Sequence, residues 1–178
     1  MIDTGLRWFA ATLCIAGLTH IGAILLTPSH SRDLAFTGID FSTADGTLVR
    51  VDNSNTSADL DPAFLNAVCR FDEDTGPVRL TGTMPGTYWS IAAMSDDGRI
   101  LSTLSREDLR GSDIDLMIGR TATLDAARQS AGLGSLDTMS LPVDQGFVLL
   151  RLFAGGLDDR SLAQEAFEGL ECRPALSE

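Results

Sequence analysis

The chain has 178 residues, the size of one domain, with a formal net charge of −12. All 13 basic residues are arginine. Nucleic acids and anionic lipid surfaces are bound through clustered positive charge, so this balance argues against both as partners. The absence of lysine from the sequence also removes Schiff-base and phosphate-binding lysine chemistry.

The first element is an apolar segment, residues 8–27, which contains no charged side chain. Twenty helical residues cover the roughly 30 Å hydrocarbon core of a bilayer. Arg7 precedes the segment, and Pro28 with the polar residues after it is expected to end it. The length favours a retained anchor, because signal peptides have shorter apolar regions. A cleaved signal peptide, cut near residues 29–31, is the alternative.

The positive-inside rule hardly discriminates between the two orientations of this segment, because one arginine flanks each end, Arg7 before it and Arg32 after it. A signal-like start makes a cytoplasmic N-terminus the default, and a long domain crosses a membrane largely regardless of its charge. We therefore expect residues 1–28 to form a cytoplasmic stub and a single-pass anchor in the inner (cytoplasmic) membrane. The domain after it is then periplasmic.

His20 interrupts the apolar segment. A polar group in hydrocarbon is costly without a partner, so an intramembrane histidine suggests a functional contact. Ala10, Cys14 and Gly17 are small and would allow close approach of another helix. These four residues are the predicted contact with a partner membrane protein. A bond to the helix or to interfacial water, or a haem or metal contact, are the alternatives.

The rest of the chain is rich in short alternating segments and turns. Residues 29–60 form a polar linker with one short strand, predicted over 47–51, and residues 61–178 form the domain. Within the linker, a calcium loop is disfavoured because Ser57 and Ala63 replace its glycine and glutamate. Further strands are predicted over 67–71, 78–83, 88–94, 99–104, 114–118 and 146–153.

Turns every 8 to 15 residues indicate an all-β sandwich or barrel, and parallel β-α-β units are not expected. One helix is predicted over 124–131, with Thr123 as its N-cap. A second, amphipathic helix is predicted over 160–170, with an apolar stripe that packs on the sheet. The predicted class is therefore mainly β: an antiparallel sandwich with an N-terminal membrane helix and a C-terminal helix.

Two of the three cysteines, Cys69 and Cys172, lie in the domain, and Cys14 lies in the membrane segment. In an oxidising compartment these two thiols favour a disulfide bond. Two buried free thiols are the alternative, as in a cytosolic protein. No zinc or other metal site is predicted, because both histidines, His20 and His30, precede the domain.

The order of several short motifs resembles the small bacterial membrane-anchored envelope proteins of domain of unknown function 1254. The residues that carry this resemblance are Cys69-Arg70-Phe71-Asp72, Gly76-Pro77, Tyr88-Trp89-Ser90, Arg151 and Cys172-Arg173-Pro174. The resemblance implies an immunoglobulin-like or jelly-roll β-sandwich behind one membrane span. It implies no activity and no cofactor.

No classical catalytic set is present, since the domain has no histidine for a Ser-His-Asp or Cys-His arrangement. Arginines beside aromatic residues are a possible ligand or partner surface. The residues proposed for it are Arg70, Tyr88, Trp89, Arg106 and Arg151, with Arg79 beside them. Ion pairing of the arginines and burial of Trp89 in the core is the structural alternative.

Three functions remain open on this basis. The first is a non-enzymatic accessory or interaction subunit of an envelope complex, with another membrane or periplasmic protein as its partner. The second is a periplasmic binding module for a small anionic or glycan ligand. The third is a carboxylate-based hydrolase that uses acidic residues of the segments 72–74, 95–98 or 106–109, all of which are predicted turns.

Overall fold

The computed structural model describes residues 2–36, 46–53, 60–72, 74–109, 111–131 and 136–175. These residues form three helices and nine strands. The helices are α1 (Ile2–Phe36), α2 (Thr121–Ala131) and α3 (Leu157–Glu168). The strands are β1 (Val49–Val51), β2 (Phe64–Asp72), β3 (Val78–Thr83), β4 (Trp89–Ser95), β5 (Ile100–Ser105), β6 (Asp113–Arg120), β7 (Asp137–Leu141), β8 (Gln145–Phe153) and β9 (Glu171–Pro174).

The strands form two sheets, which confirms the predicted sandwich-like β class. Sheet one has the order β1-β2-β8-β4-β5, and every pairing in it is antiparallel. Sheet two has the order β7-β6-β3-β9. Its β6–β3 and β3–β9 pairs are antiparallel, while β6 and β7 are parallel.

Period-two alternation along the strands builds the core between the two sheets. In β2, for example, Leu65, Ala67, Cys69 and Phe71 all belong to one buried cluster. Trp89 on β4 faces the same cluster. Alternate residues of a strand point to opposite faces, so one apolar set per strand is enough to fill the space between the sheets.

The parallel β6–α2–β7 unit contradicts the expectation that no β-α-β connection would occur. Parallel neighbours need a crossover connection, and α2 supplies it. The helix covers the outer face of sheet two, where Leu124 and Ala127 pack on Met117 of β6. Met117 is 1% exposed although it faces away from the main core. Strands β7 and β9 were not predicted, because with five and four residues they are too short to show a clear pattern.

Several predicted boundaries differ from those in the structure. Helix α1 continues past Pro28 to Phe36, so the first part of the predicted linker is helical. An interior proline removes one backbone hydrogen bond and crowds the preceding turn, so it was expected to end the helix but does not do so here. The short strand predicted in the linker is β1, and it joins sheet one beside β2. The sandwich therefore begins before residue 61.

Helix α3 packs against β2 and β8, as predicted for an amphipathic C-terminal helix. It begins three residues earlier than expected, and Asp159 accepts a hydrogen bond from the backbone N–H of Gly156 at 3.2 Å. Ala163 is buried, and Ala166 and Phe167 pack on the core. Leu162 belongs to the predicted stripe but is 45% exposed, because only a narrow arc of the helix meets the sheet.

The predicted disulfide between Cys69 and Cys172 is present. Cys69 lies on the inner face of β2 in sheet one, and Cys172 lies on β9, an edge strand of sheet two. The bond therefore joins the two sheets through the core and closes a segment of 103 residues. Cys14 is a free, exposed thiol on α1.

Candidate functional site

Helix α1 has a stretch, Thr4–Leu26, that is long and apolar enough to cross a membrane. None of its side chains is buried against the rest of the protein. Successive helical residues advance by roughly 100°, which places Ala10, Cys14 and Gly17 within about 60° of arc. A Cβ added at Gly17 would meet nothing within 4 Å. The predicted small-residue stripe is therefore continuous and open to a neighbouring helix.

His20 lies on the flank of this stripe, roughly 60° round the helix from Gly17. The hydroxyl groups of Thr12 and Thr19 donate to carbonyl oxygens one turn earlier, each at 2.9 Å. The His20 imidazole, by contrast, has no hydrogen-bond partner among the residues that the structure describes. Its partner in a membrane then has to come from outside this part of the chain, so the predicted contact remains a prediction.

The structure places Trp89 in the core, 1% exposed and facing the space between the sheets. Arg106 is exposed, and its Nη1 donates to the carbonyl oxygen of Gly86. Trp89 and Arg106 line the same small cavity of about 290 Å³. The indole of Trp89 is packed in the core and forms only part of the wall of this cavity. Its ring faces are therefore not available for a ligand to stack on.

The other predicted arginines lie far apart. Arg79 is on sheet two, where its Nε and Nη2 each donate to the carboxylate of Asp115 at 2.7 Å. This bidentate bond raises the pKa of Arg79 above its usual value. Arg70 is on sheet one, with its Nη2 3.9 Å from Asp72 Oδ2. Of the predicted surface, Trp89 and Arg106 therefore share a cavity, whereas Arg70 and Arg79 lie on different sheets.

Two of the predicted residues do meet, at the end of sheet one. The guanidinium carbon of Arg151 lies 4.2 Å from the centroid of the Phe64 ring. The rings of Tyr88 and Phe153 contact Phe64 edge to face, at centroid distances of 6.3 and 5.7 Å. We call Phe64, Tyr88, Arg151 and Phe153 the aromatic–arginine cluster. Tyr88 is 54% exposed, so the cluster reaches the surface.

A cavity of about 440 Å³, which was not predicted from the sequence, borders this cluster. Phe64 belongs to both. The cavity lies between the end of β1, the start of β2 and the first turns of α3, and we call it the α3 cavity. Its polar lining includes Arg50, Asp52, Asp61, Asn66, Arg160 and Gln164. The one sequence clue was Asn66, an amide in the apolar run of β2.

Asn66 is 5% exposed, and its Nδ2 donates to the carbonyl oxygen of Phe64 at 3.3 Å. At the rim, Asn53 and Leu60 exchange two hydrogen bonds through the Asn53 amide, at 3.0 and 3.3 Å. The Asp61 carboxylate accepts from the backbone N–H of Ala63 at 2.9 Å. These bonds fix the walls of the cavity before any ligand enters it.

The acidic segments considered for catalysis form turns. Asp72 accepts hydrogen bonds from the backbone N–H of Asp74 at 3.0 Å and from Gln145 at 2.9 Å. Asp108 accepts from the backbone N–H and the hydroxyl of Ser105, at 2.7 and 2.8 Å. These two bonds, the backbone one first, lower the pKa of Asp108. Both carboxylates are therefore engaged in hydrogen bonds that stabilise the local structure.

No cluster of three or more histidine, cysteine or acidic side chains suited to a metal occurs in the described parts of the chain. The weakly calcium-like segment, residues 52–61, lies mostly outside these parts, because residues 54–59 are not described.

No protein-family model matches the chain, and no curated protein matches it. Two solved structures are similar in outline. The VPA0106 protein from Vibrio parahaemolyticus has a TM-score of 0.49 at 14% identity, over 65% of this chain and 28% of that one. An uncharacterised protein from Burkholderia cenocepacia has a TM-score of 0.49 at 10% identity, over 75% of this chain and 35% of that one. The chain therefore spans only about a third of either protein.

Proposed function

We propose that the protein is a non-enzymatic accessory subunit, anchored in a membrane by α1, which binds another membrane or periplasmic protein. The observation that carries this proposal is the unburied apolar helix Thr4–Leu26, in which His20, beside a small-residue stripe, has no hydrogen-bond partner among the described residues. An apolar helix that does not pack on its own domain needs lipid or another protein around it. A buried polar group within lipid needs a partner as well.

The proposed location is the inner membrane, with the N-terminus in the cytoplasm and the sandwich in the periplasm. The Cys69–Cys172 bond supports a domain outside the cytoplasm, because disulfides persist in oxidising compartments. The order of the cysteine, arginine and aromatic motifs supports membership of the envelope proteins of domain of unknown function 1254.

The test is co-purification of the full-length protein from its native membrane in a mild detergent, followed by mass spectrometry. We expect a stoichiometric membrane partner that the Gly17→Leu/His20→Leu double variant loses. No described residue lies within 4 Å of a Cβ at Gly17, so leucine there is expected to act on a neighbouring helix. Gly22→Leu is the matched control, since it is equally unobstructed but lies outside the stripe.

Retention of the partner by the double variant would contradict the contact through α1. A protein that purifies alone would contradict the accessory function itself.

A second candidate, a ligand-binding module, is favoured by a separate observation. The α3 cavity combines an aromatic ring and a buried amide from β2 with charged groups on β1, on α3 and in the segments that flank β1 and β2. Ligand sites are typically concave, with a few fixed polar groups in an otherwise apolar lining.

A further inference from the structure

The α3 cavity is large enough for a small ligand. Its volume is about 440 Å³, and small-molecule sites in proteins span roughly 300–1,000 Å³. Its walls come from β1, β2 and α3, elements held by sheet pairing and by packing on the core. A site carried on such elements needs little ordering when it binds, which favours affinity.

The charges in the cavity favour an uncharged ligand. Two arginines, Arg50 and Arg160, are matched by two aspartates, Asp52 and Asp61. The lining therefore has no net charge, while the whole chain carries −12. An anion would meet the repulsive field of the protein without a local excess of positive charge, and for a cation the repulsion of the two arginines offsets the attraction of the two aspartates.

The polar groups suit a ligand with many hydroxyls. An amide side chain both donates and accepts, as a hydroxyl does, and Asn66 and Gln164 present such groups from opposite walls. The charged groups at the rim are already engaged within the protein: Arg160 donates to the carbonyl oxygen of Pro62 at 3.5 Å, and Asp61 accepts from the backbone N–H of Ala63 at 2.9 Å. Beside them, Phe64, Val51 and Leu60 offer apolar surface. A sugar ring has this same combination, with hydroxyls round its edge and C–H groups on its faces.

We infer that the α3 cavity binds a neutral polyhydroxylated ligand of one or two sugar rings, such as the end of a glycan. This inference deepens the ligand-binding candidate and rests on it. Partner binding through α1 is independent, because none of the described lining residues of the cavity belongs to α1.

The experiment is ligand-observed saturation-transfer NMR on the full-length protein in lipid nanodiscs. The probes are maltose, cellobiose and N,N′-diacetylchitobiose, with sodium sulfate as the charged competitor. Alkyl glycoside detergents are kept out of the preparation, because their head groups are sugars. We expect saturation transfer to at least one disaccharide, unaffected by sulfate at constant ionic strength.

The Gln164→Leu and Arg160→Met variants should each weaken this binding by roughly tenfold, the effect of one lost hydrogen bond. Both side chains are exposed on α3, so neither change disturbs the core. Arg173→Met, a change of another exposed arginine on β9, is the matched control and should bind like the wild type. An absence of transfer to all three probes would overturn the inference, as would unchanged affinity in both cavity variants. Competition by sulfate would also overturn it, in favour of an anion site.

Discussion

At the scale of single residues, Gly82 decides how the end of α3 meets sheet two. Its φ is +141°, which side-chain-bearing residues rarely adopt. A Cβ at this position would lie 2.6 Å from the carbonyl oxygen of Gly169 and 2.9 Å from Leu170 Cδ2. Backbone, and not only a flexible side chain, would therefore have to move to accommodate alanine.

We expect Gly82→Ala to lower the free energy of unfolding by roughly 2–4 kcal/mol, from backbone strain and overpacking together. Urea unfolding, followed by the fluorescence of the buried Trp89 in a Trp8→Phe background, measures the loss. Gly86→Ala is the control, because a Cβ there meets nothing within 4 Å. Equal stability of the two variants would show that the α3–β3 contact is unimportant.

Residue identity alone did not predict which side chains meet. Trp89, Arg70 and Arg106 were grouped because arginine and aromatic residues often form binding surfaces. In the structure Trp89 and Arg106 line one cavity, but Arg70 points to the opposite face of sheet one. A side chain's face depends on strand register, and a shift of one residue reverses it. Sequence alone does not supply the register.

At the scale of elements, β9 is a strand of four residues at the edge of sheet two. It pairs with β3 alone among the described strands. Its cysteine, Cys172, is bonded to Cys69 on the other sheet. The covalent bond therefore compensates for a short pairing and holds the C-terminal strand in register.

The Cys69→Ala/Cys172→Ala variant should lose about 4–5 kcal/mol of unfolding free energy, the chain-entropy value for a loop of roughly 100 residues. Single domains are stable by only about 5–15 kcal/mol, so this loss is large. Urea unfolding by Trp89 fluorescence is again the measurement. Cys14→Ala should leave stability unchanged, because Cys14 is exposed on α1. A double variant as stable as the wild type would refute the role of the bond.

The β6–α2–β7 unit shows where element-level prediction failed. The helix was predicted from Leu124 to Ala131, and α2 covers those residues. Its position on the outer face of sheet two was not predicted, because a short amphipathic helix fits either face of a sheet equally well. The residue that would have indicated this position is Met117, a large apolar residue on the face of β6 opposite to the core.

At the scale of the whole molecule, the proposed topology is a cytoplasmic N-terminus and a periplasmic sandwich. Arg7 precedes the span, and Arg32 is the first arginine after it. We expect trypsin added to spheroplasts to cleave at Arg32 or beyond and to leave a protected fragment that contains Arg7. The intact mass of the untreated protein, measured by mass spectrometry, shows whether residues 1–31 are retained.

In inverted vesicles, the same treatment should cleave at Arg7 and protect the sandwich. The reverse pattern in the two preparations would establish the opposite orientation. A mature mass that lacks the N-terminal segment would identify a cleaved signal peptide and remove the anchor.

The sequence by itself determined the features that depend on local pattern or composition. These are the apolar length of α1, the mainly β class, the position of most strands and the pairing of the two cysteines of the domain. Each follows from periodicity, run length or elimination, which need no knowledge of distant contacts. The tertiary structure alone decided the parallel β6–β7 pair, the burial of Trp89 and the α3 cavity. These depend on which residues, far apart in the chain, meet across sheets, and that is fixed by register and packing of the whole domain.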